Sequence, residues 1–422
     1  MTTNDLHIAL PASKSLSNRW LVLNHVSGSP FMLRNLSDAA DTQLLVALLA
    51  QLKSGHSERY YCHNAGTVAR FMLALLAVTP GQHRLTGDDR LCRRPMLPLI
   101  ECLRGLGCQI TCTDREGFLP VTITGNMPDH RMAEIDPVAS SQFVSAMLLV
   151  APMLPHGITL TLTGRAASRP YIEMTRAILS QAGIENSVSA NNRVYRVEPI
   201  RPETLIRHRI VEIERDWSSA SYIYAAAALV PGLRLRMPGL SRSSYQGDNV
   251  LETIFTHFGV QTREVRSPYH PNTRSITVVG TGQHDAEFEY NFLDCPDLVP
   301  AVAITCAALG IHARLKGAKN LRYKESDRLK ALQTELKKMG GRMTLAGQMA
   351  TVLPATLTPT EPVNPHGDHR IAMAFAILSL RYPGLTVDNP DTVTKSFPKF
   401  WDQLKTIRKA AGQRRPPRTS AK

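Results

Sequence analysis

Hydrophobic and polar positions repeat one arrangement six times along the chain. A polar turn precedes an Ala/Leu-rich segment with helical periodicity, a glycine ends that segment, and a short alternating run typical of a strand follows. The predicted helices begin 51 to 80 residues apart, near Ser15, Gly66, Ser141, Ser218, Leu298 and His369. This regular recurrence indicates an internal repeat.

Each repeat supplies strands as well as helices. The alternating runs predict strands at residues 31–33, 83–85, 158–162, 233–235, 311–315 and 385–387. Most repeats then add a second amphipathic helix that also ends near a glycine, as at Gly107, Gly183, Gly259 and Gly340. A strand–helix–strand–helix–strand unit predicts an α/β protein.

Composition sets the number of domains and excludes several classes of protein. A chain of 422 residues with 43% hydrophobic content is long enough for two domains, three repeats in each. It has no apolar run of about 18 residues, and Met1 lies ten residues before the first functional motif, so we expect a cytoplasmic protein without a membrane segment. Its seven cysteines lack a C-x-x-C pair or zinc spacing, which predicts reduced thiols and no metal site.

The net charge of +14 first suggests a nucleic-acid partner. Residues 403–422, however, contain seven Lys or Arg and no acid, so half of the excess lies in a tail. Residues 410–422 are polar and aperiodic, and we expect them to be disordered. The remaining charge fits a protein that binds small polyanions and no nucleic acid.

Helix N-termini favour anions through their free N–H groups and the helix dipole. At the first predicted helix start, Lys14 and Arg19 flank hydroxyl side chains, a pattern that suits anion binding, although an ordinary serine cap remains an alternative. At the second, Gly66 either admits a ligand to the helix N-terminus or forms a bare turn. On the repeat alone, mere stacking of units is equally compatible.

The residues at these starts resemble one known family. Besides residues 11–19 and 64–70, the matching motifs follow in order at 94–95, 140–143, 168–171, 216–222, 246–248, 296–300, 320–328, 368–374 and 395–398. Together they resemble the 5-enolpyruvylshikimate-3-phosphate (EPSP) synthases, which are enolpyruvyl transferases. The match runs from Pro11 to about Trp401.

The resemblance implies a fold and a reaction. The fold is the two-domain enolpyruvyl transferase fold of six βαβαββ repeats, with domains at 13–214 and at 1–12 plus 215–409, a tail at 410–422, and an active site in the cleft between the domains. The reaction transfers the enolpyruvyl group of phosphoenolpyruvate to the 5-hydroxyl of shikimate 3-phosphate and releases phosphate. A monomer without a cofactor is implied as well.

The resemblance also assigns ligands, and arginine and lysine suit their phosphates and carboxylates. Shikimate 3-phosphate is expected on Lys14, Ser15, Arg19, Ser140, Ser141, Gln142, Ser168, Asp297, Asn320 and Lys324. Phosphoenolpyruvate, and the herbicide glyphosate in its place, are expected on Lys14, Gly66, Arg94, Gln142, Arg328, Arg370 and Lys395. Lys14 and Gln142 would contact both substrates.

The reaction requires a base and an acid surrounded by cations. Asp297 and Glu325 fit because cationic residues neighbour them, so we assign Asp297 as the base toward the 5-hydroxyl and Glu325 as the proton donor, with Lys14 and Lys395 stabilising charge. Alternatively, Asp297 is a helix cap and Glu325 a member of a surface ion pair. Asp216 and Asp368 are interpreted as caps.

Two other functions compete with this interpretation. The sister enolpyruvyl transferase acts on UDP-N-acetylglucosamine, but its Lys-Asn motif near the start is replaced here by Ser13-Lys14-Ser15. A non-catalytic basic repeat protein would explain the charge and leave the carboxylates unexplained, and with 6% aromatic residues the chain has no clusters for stacking on bases.

Overall fold

The computed structural model of the chain describes residues 5–55, 58–138, 140–201, 203–206, 208–266 and 274–413. These residues form two compact domains. We call Ala12–Ile213 the N-terminal domain, and the residues before Ala12 together with those from Glu214 onward the C-terminal domain. Both contain helices and sheets, which confirms the predicted α/β class.

The first strand, β1 (Leu6–His7), belongs to the C-terminal domain. The N-terminal domain then contains α1 (Lys14–Val26), β2 (Met32–Arg34), α2 (Ala40–Ser54), β3 (Arg59–Tyr61), α3 (Gly66–Ala77), β4 (Gly81–Thr86), α4 (Asp89–Cys92), α5 (Leu97–Gly105), β5 (Gln109–Cys112), β6 (Val121–Gly125), β7 (Met132–Ile135), α6 (Ser141–Val150), β8 (Ile158–Leu162), α7 (Pro170–Gln181), β9 (Asn186–Val188), β10 (Val194–Val197) and β11 (Ile210–Glu212).

The C-terminal domain continues the same order of elements. It contains α8 (Trp217–Leu229), β12 (Arg234–Pro238), α9 (Leu251–Thr256), β13 (Val260–Arg266), β14 (Arg274–Gly280), β15 (Glu287–Asn291), α10 (Val299–Leu309), β16 (His312–Lys316), α11 (Arg328–Lys338), β17 (Arg342–Ala346), β18 (Met349–Leu353), α12 (His369–Ile377) and α13 (Phe400–Gly412). Short 3₁₀ helices lie at Ala151–Met153, Gly247–Val250, Pro296–Leu298, Lys319–Tyr323, Leu378–Leu380 and Pro390–Lys395.

Four sheets have the same topology, which makes the repeat visible in three dimensions. In each, the first strand pairs in parallel with the second, the second pairs antiparallel with the fourth, and the fourth pairs antiparallel with the third. The strand orders are β3-β4-β6-β5, β7-β8-β10-β9, β1-β12-β14-β13 and β15-β16-β18-β17. A parallel pair joined by a helix and followed by a hairpin is the βαβαββ unit.

The other two repeats have smaller sheets among the described residues. In the first repeat β2 pairs in parallel with β11, and four residues separate α2 from β3. In the last, the predicted strand at 385–387 is wrong: this segment forms a single parallel bridge between Val363 and Val387. Pro362 and Pro365 flank Val363 in the facing segment, and proline cannot donate to a sheet ladder.

The first helix of each complete repeat is buried on nearly every side. In α3 all residues except Thr67 are buried, and in α6 all except Gln142. In α8 every residue is buried, and in α10 all except Leu309. Helix α12, which begins the last repeat, is also buried along its whole length. Each domain has its own hydrophobic core around these helices, so the residues at their N-termini are held rigidly.

The glycine turns follow the prediction. Gly310 ends α10 in the left-handed region, at φ 74°, and its N–H donates to the carbonyl of Cys306. The tail, in contrast, begins later than expected, because α13 continues to Gly412 and Ala410 packs against the core. Residues 414–422 lie outside the described residues. No described helix combines the length and the apolar character needed to cross a membrane.

Candidate active site

Helix α1 begins at Lys14, whose side chain forms an ion pair with Asp41. Ser13 caps the helix by accepting from the N–H of Leu16 at 3.4 Å. Lys14 is the next residue, and its Nζ lies 3.0 Å from Oδ2 of Asp41, both side chains being largely buried. Ser15 follows, half-buried. The cap is therefore Ser13, and Lys14 and Ser15 remain for a ligand that can compete with Asp41.

Arg19, one turn further, lies beneath the surface. It is 1% exposed, and its nitrogens donate to Thr175 Oγ1 (2.8 Å), Ser145 Oγ (3.0 Å) and the carbonyls of Ser15 (3.0 Å) and Tyr171 (3.2 Å). Burial lowers its pKa to about 10. This predicted ligand of shikimate 3-phosphate joins α1 to α6 and α7, and it supports Ser15 through the backbone.

At the start of α3, Gly66 makes room for an arginine. A Cβ built on Gly66 would lie 2.5, 2.6 and 2.8 Å from Nη1, Cζ and Nη2 of Arg94. Real Cβ atoms do not approach other atoms so closely, so any larger residue would push the guanidinium away. Gly66 and Arg94 were both predicted to bind phosphoenolpyruvate, and the structure brings them together.

Helix α6 presents a glutamine beside two serines. Ser140 caps the helix by accepting from the N–H of Gln142 at 3.2 Å, and Ser141 is the first helical residue. The Gln142 side chain accepts from Arg70 Nη1 at 2.5 Å and donates to Thr67 Oγ1 at 2.9 Å. Sequence reasoning gave Arg70 no role, although its spacing of three from Thr67 on one helix was a signal.

Ser168 has an unusual backbone. Its φ is 56°, in the left-handed region that few residues other than glycine adopt, and it is 8% exposed. Its carbonyl accepts from the N–H of Tyr171 at the start of α7. Local strain of this kind is concentrated at functional sites, which agrees with the predicted role of Ser168 in binding shikimate 3-phosphate.

In the C-terminal domain Asp297 is surrounded by cations. It lies on the 3₁₀ helix Pro296–Leu298, and its oxygens are 2.8 Å from Arg328 Nη1, 3.0 Å from Arg370 Nη2 and 3.4 Å from Lys324 Nζ. Among the described residues none caps α10 with its side chain, so the alternative of Asp297 as a helix cap is wrong.

Arg328 joins Asp297 to two further carboxylates. Its Nη2 lies 2.7 Å from Glu325 Oε2 and its Nε lies 2.7 Å from Asp368 Oδ2. The side chain of Arg328 is 2% exposed and that of Glu325 is 11% exposed, so the alternative of a surface ion pair is wrong for Glu325. The structure thus places both predicted catalytic carboxylates on one guanidinium.

These contacts shift the titration of the cluster. Burial alone would raise the pKa of Asp297, but Arg370, Lys324 and Arg328 outweigh it and hold the pKa well below its usual range. Burial lowers the pKa of Lys324, partly offset by Asp297. Burial also disfavours the charged form of Arg328, but Asp368, Glu325 and Asp297 raise its pKa above the usual value.

Asp368 fixes the arginine at the start of α12. Its Oδ1 accepts from the backbone N–H of Arg370 at 2.9 Å, and its Oδ2 binds Arg328. Asp216 caps α8 in the same way, by accepting from the N–H of Ser219. Both aspartates are caps, as predicted, and Asp368 also orients two of the predicted ligands of phosphoenolpyruvate.

The remaining predicted residues lie on 3₁₀ helices. Asn320 belongs to Lys319–Tyr323, four residues before Lys324, and Lys395 ends Pro390–Lys395. Both are half-buried. Their assignment as ligands rests on the resemblance.

A further carboxylate near this cluster was missed. Asp248 is 2% exposed and accepts from the hydroxyl of Ser218, while its Oδ1 has no hydrogen-bond partner among the described residues. Burial, with the nearby negative charge of Asp297, raises its pKa to about 7. The motif at 246–248 was the available signal, but nothing in it indicated burial.

The collected residues suit transfer between anionic substrates. Lysines and arginines that now bind carboxylates can bind phosphates, and two carboxylates beside them can move protons. Within the described part of the chain, no group of three His, Cys, Asp or Glu side chains is placed to hold a metal.

Known proteins resemble this chain along most of its length. The family model for EPSP synthase (3-phosphoshikimate 1-carboxyvinyltransferase) matches residues 50–404. A protein from Bacteroides fragilis (strain YCH46) named 3-phosphoshikimate 1-carboxyvinyltransferase is 36% identical over 94% of this chain and 94% of its own. A protein of the same name from Syntrophobacter fumaroxidans is 33% identical over 95% of this chain and 96% of its own. A solved EPSP synthase from Acinetobacter baumannii, 22% identical, superposes with a TM-score of 0.71 and covers 96% of each chain.

The fold is that of the solved enolpyruvyl transferases, as predicted. The chain belongs to the EPSP synthase (3-phosphoshikimate 1-carboxyvinyltransferase) family. This confirms the resemblance found in the sequence.

Proposed function

We propose that this protein transfers the enolpyruvyl group of phosphoenolpyruvate to the 5-hydroxyl of shikimate 3-phosphate, giving 5-enolpyruvylshikimate 3-phosphate and phosphate. The observation that carries the proposal is the pairing of Asp297 and Glu325 on the single guanidinium of Arg328, with Lys324 and Arg370 alongside. Membership of the family supports the same reaction.

Substrate binding activates Asp297 by competition for its cations. Lys324 is assigned to shikimate 3-phosphate, and Arg328 and Arg370 to phosphoenolpyruvate. These three side chains are the ones that hold the pKa of Asp297 low. Each cation drawn toward a phosphate or carboxylate therefore raises the pKa of Asp297 and makes it a stronger base toward the 5-hydroxyl.

The N-terminal domain supplies anion-binding groups. Lys14 exchanges Asp41 for substrate oxygens, Ser15, Ser140, Ser141 and Ser168 donate to shikimate 3-phosphate, and Arg94 with the start of α3 at Gly66 binds phosphoenolpyruvate. Gln142 bridges the two ligands. Arg19 acts one step away, by fixing α1 and Ser15.

The proton inventory of the reaction balances. The 5-hydroxyl gives its proton to Asp297 as its oxygen bonds to C2 of phosphoenolpyruvate, while Glu325 protonates C3 to give a methyl group in a tetrahedral adduct. The C2–O bond to phosphate then breaks while the ionised Glu325 takes back one methyl proton, which restores the methylene. The departing phosphate takes the proton from Asp297, so both carboxyl groups return to their starting states. Lys14 and Lys395 stabilise the charge that develops on the adduct and on the departing phosphate.

We propose that the substrates contact residues of both domains, because the predicted ligands belong to both. We also propose that the protein is a cytoplasmic monomer without a cofactor. Seven cysteines, several of whose pKa values are raised by burial, support a reduced state.

The test is phosphate release from phosphoenolpyruvate with no acceptor, with shikimate 3-phosphate and with UDP-N-acetylglucosamine. We expect release with shikimate 3-phosphate alone, in a one-to-one ratio with the enolpyruvyl product. Release with UDP-N-acetylglucosamine would assign the chain to the sister reaction. No release with either acceptor would contradict the proposal.

A further inference from the structure

The buried helices α3 and α6 each have one residue that is not buried, and these two residues are in contact. Thr67 is the residue of α3 that is not buried, and Gln142 is the residue of α6 that is not buried. These two side chains are hydrogen-bonded to each other at 2.9 Å. Both stand one residue inside the helix start, next to Gly66 and Ser141.

Chemistry fixes which way the amide of Gln142 faces. Arginine carries donors only, so the atom 2.5 Å from Arg70 Nη1 must be the carbonyl oxygen of Gln142. Nε2 then faces Thr67 and donates one hydrogen to its hydroxyl. The second hydrogen of Nε2 is available to a substrate oxygen.

Arg70 is itself held in place. It is 4% exposed, and its guanidinium lies 5.1 Å from the ring centre of Phe143, the residue after Gln142. Arg70 and Thr67 are three residues apart on α3 and so lie on one face of that helix. Two residues of α3 therefore fix the Gln142 amide: Arg70 holds its carbonyl oxygen and Thr67 holds its nitrogen.

We propose that Arg70 and Thr67 position the Gln142 amide so that it presents an N–H donor to the substrates, which makes both of them positioning residues for the reaction. The inference rests on the proposed function for the ligands of Gln142, and it adds the reason for the orientation of that side chain. It also couples α3, assigned to phosphoenolpyruvate through Gly66, with α6, assigned to shikimate 3-phosphate through Ser140 and Ser141.

A double-mutant cycle tests whether Arg70 acts through Gln142. We expect Arg70→Met and Thr67→Val each to lower kcat/KM about 10- to 100-fold, a range typical of a misplaced group. In the Gln142→Ala background the same changes should lower kcat/KM less than about threefold, because the group they position is gone. Equal losses in both backgrounds would overturn the proposal.

Controls separate positioning from folding. Arg104→Met removes a partly buried arginine of α5 that bonds Ile110 and Glu116, and it should leave kcat/KM within about twofold. Arg70→Lys, which keeps a donor, should recover part of the lost activity. Thermal unfolding of every variant identifies any that are misfolded. Thr67→Val replaces one hydroxyl with a methyl group of similar size, so it is the variant that disturbs the packing least.

A second readout does not depend on the reaction. In full-length protein labelled with ¹⁵N-glutamine, the side-chain signals absent from Gln142→Ala identify the Gln142 amide. We expect these hydrogens to exchange more slowly than those of exposed glutamines, and to lose that protection in Arg70→Met and Thr67→Val. Unchanged exchange would overturn the proposal, even if the parent protein failed to release phosphate and so contradicted the proposed function.

Discussion

The helix starts of the two domains differ in one chemical respect. Among the described residues, the side chains that cap helices in the N-terminal domain are serines, Ser13 and Ser140, whereas those in the C-terminal domain are aspartates, Asp216, Asp327 and Asp368. Serine leaves the positive end of the helix dipole intact, and aspartate neutralises it.

This difference indicates a division of labour. Neutral caps, and the start of α3 at Gly66 beside Arg94, leave backbone N–H groups for anions in the N-terminal domain. In the C-terminal domain the positive charge comes from Lys324, Arg328 and Arg370, which are paired with carboxylates. The N-terminal domain is therefore suited to hold substrates, whereas the C-terminal domain is suited both to hold them and to move protons. The following predictions test that contrast.

The largest expected effect is on the two carboxylates. Asp297→Asn and Glu325→Gln keep the size of each side chain and remove its proton chemistry, so each should lower kcat by about 100-fold or more. Binding of shikimate 3-phosphate, measured by calorimetry, should change much less.

An Asp297→Asn variant that turns over almost as fast as the parent would show that Asp297 is not the base. A loss of shikimate 3-phosphate binding equal to the loss of turnover would instead place the carboxylate in binding. Ser141→Ala in the N-terminal domain is the matched comparison, because it should weaken shikimate 3-phosphate binding more than it lowers kcat.

A smaller effect is expected at Gly66 in the N-terminal domain. The methyl group of Gly66→Ala would overlap Arg94, which is 7% exposed and must then move. The longer inhibitor glyphosate should suffer more than phosphoenolpyruvate. A loss of about 2–3 kcal/mol for the inhibitor corresponds to an inhibition constant raised roughly 30- to 150-fold.

The measurement is the inhibition constant of glyphosate against phosphoenolpyruvate, with the KM of the substrate determined in parallel. Proportional changes in both constants would show that Gly66 does not face the inhibitor. The KM for shikimate 3-phosphate serves as the internal control and should stay within about twofold.

A third effect concerns stability and separates Asp248 from the paired carboxylates. Because its folded pKa, about 7, lies above the unfolded value, Asp248 favours the folded state most at low pH, and that contribution is lost as pH rises from about 4 to 7. Asp248→Asn removes this penalty and should raise the unfolding free energy at pH 8 by on the order of 1–2 kcal/mol.

Thermal unfolding of the parent and of Asp248→Asn from pH 5 to 8 checks this. The difference between them should grow with pH. A constant difference would show that Asp248 does not titrate in this range in the folded protein.

The smallest effect is expected for the tail. Removal of residues 414–422 should leave kcat within about twofold, because every predicted site residue precedes Phe400. The deletion must begin after Gln413, since α13 continues to Gly412. A loss of more than about tenfold, or roughly 1.4 kcal/mol of barrier, would show that these residues contribute to catalysis.

Local signals made much of the fold predictable. The starts of α1, α3, α6 and α12 were placed to within one residue, because caps and glycines act on their own turn. The segment 385–387 failed because three alternating residues do not reveal whether a partner strand exists. Strand pairing is set by distant residues, here a facing segment that contains prolines.

The site was predictable as a set of residues but not as an arrangement. Asp297, Arg328 and Asp368 are far apart in sequence, and only packing of α10, α11 and α12 brings them together. The burial of Arg19 and the hydrogen bond from Arg70 to Gln142 were not predictable either. Both depend on contacts between helices, and the spacing of residues along one helix does not show which residues of another helix it meets. The resemblance to the family gave the predicted roles of the site residues, and the structure gave their hydrogen-bond and ion-pair partners.

The division of labour is tested most directly by running the reaction in D₂O and measuring deuterium in the product by mass spectrometry. If Glu325 protonates C3 and the adduct then loses a methyl proton, the methylene of 5-enolpyruvylshikimate 3-phosphate should acquire deuterium in the parent. Product made by Ser141→Ala should carry the label as well, because that variant is expected to weaken shikimate 3-phosphate binding more than it lowers kcat. Product free of deuterium in the parent would contradict the account, since enolpyruvyl transfer would then proceed without protonation of C3.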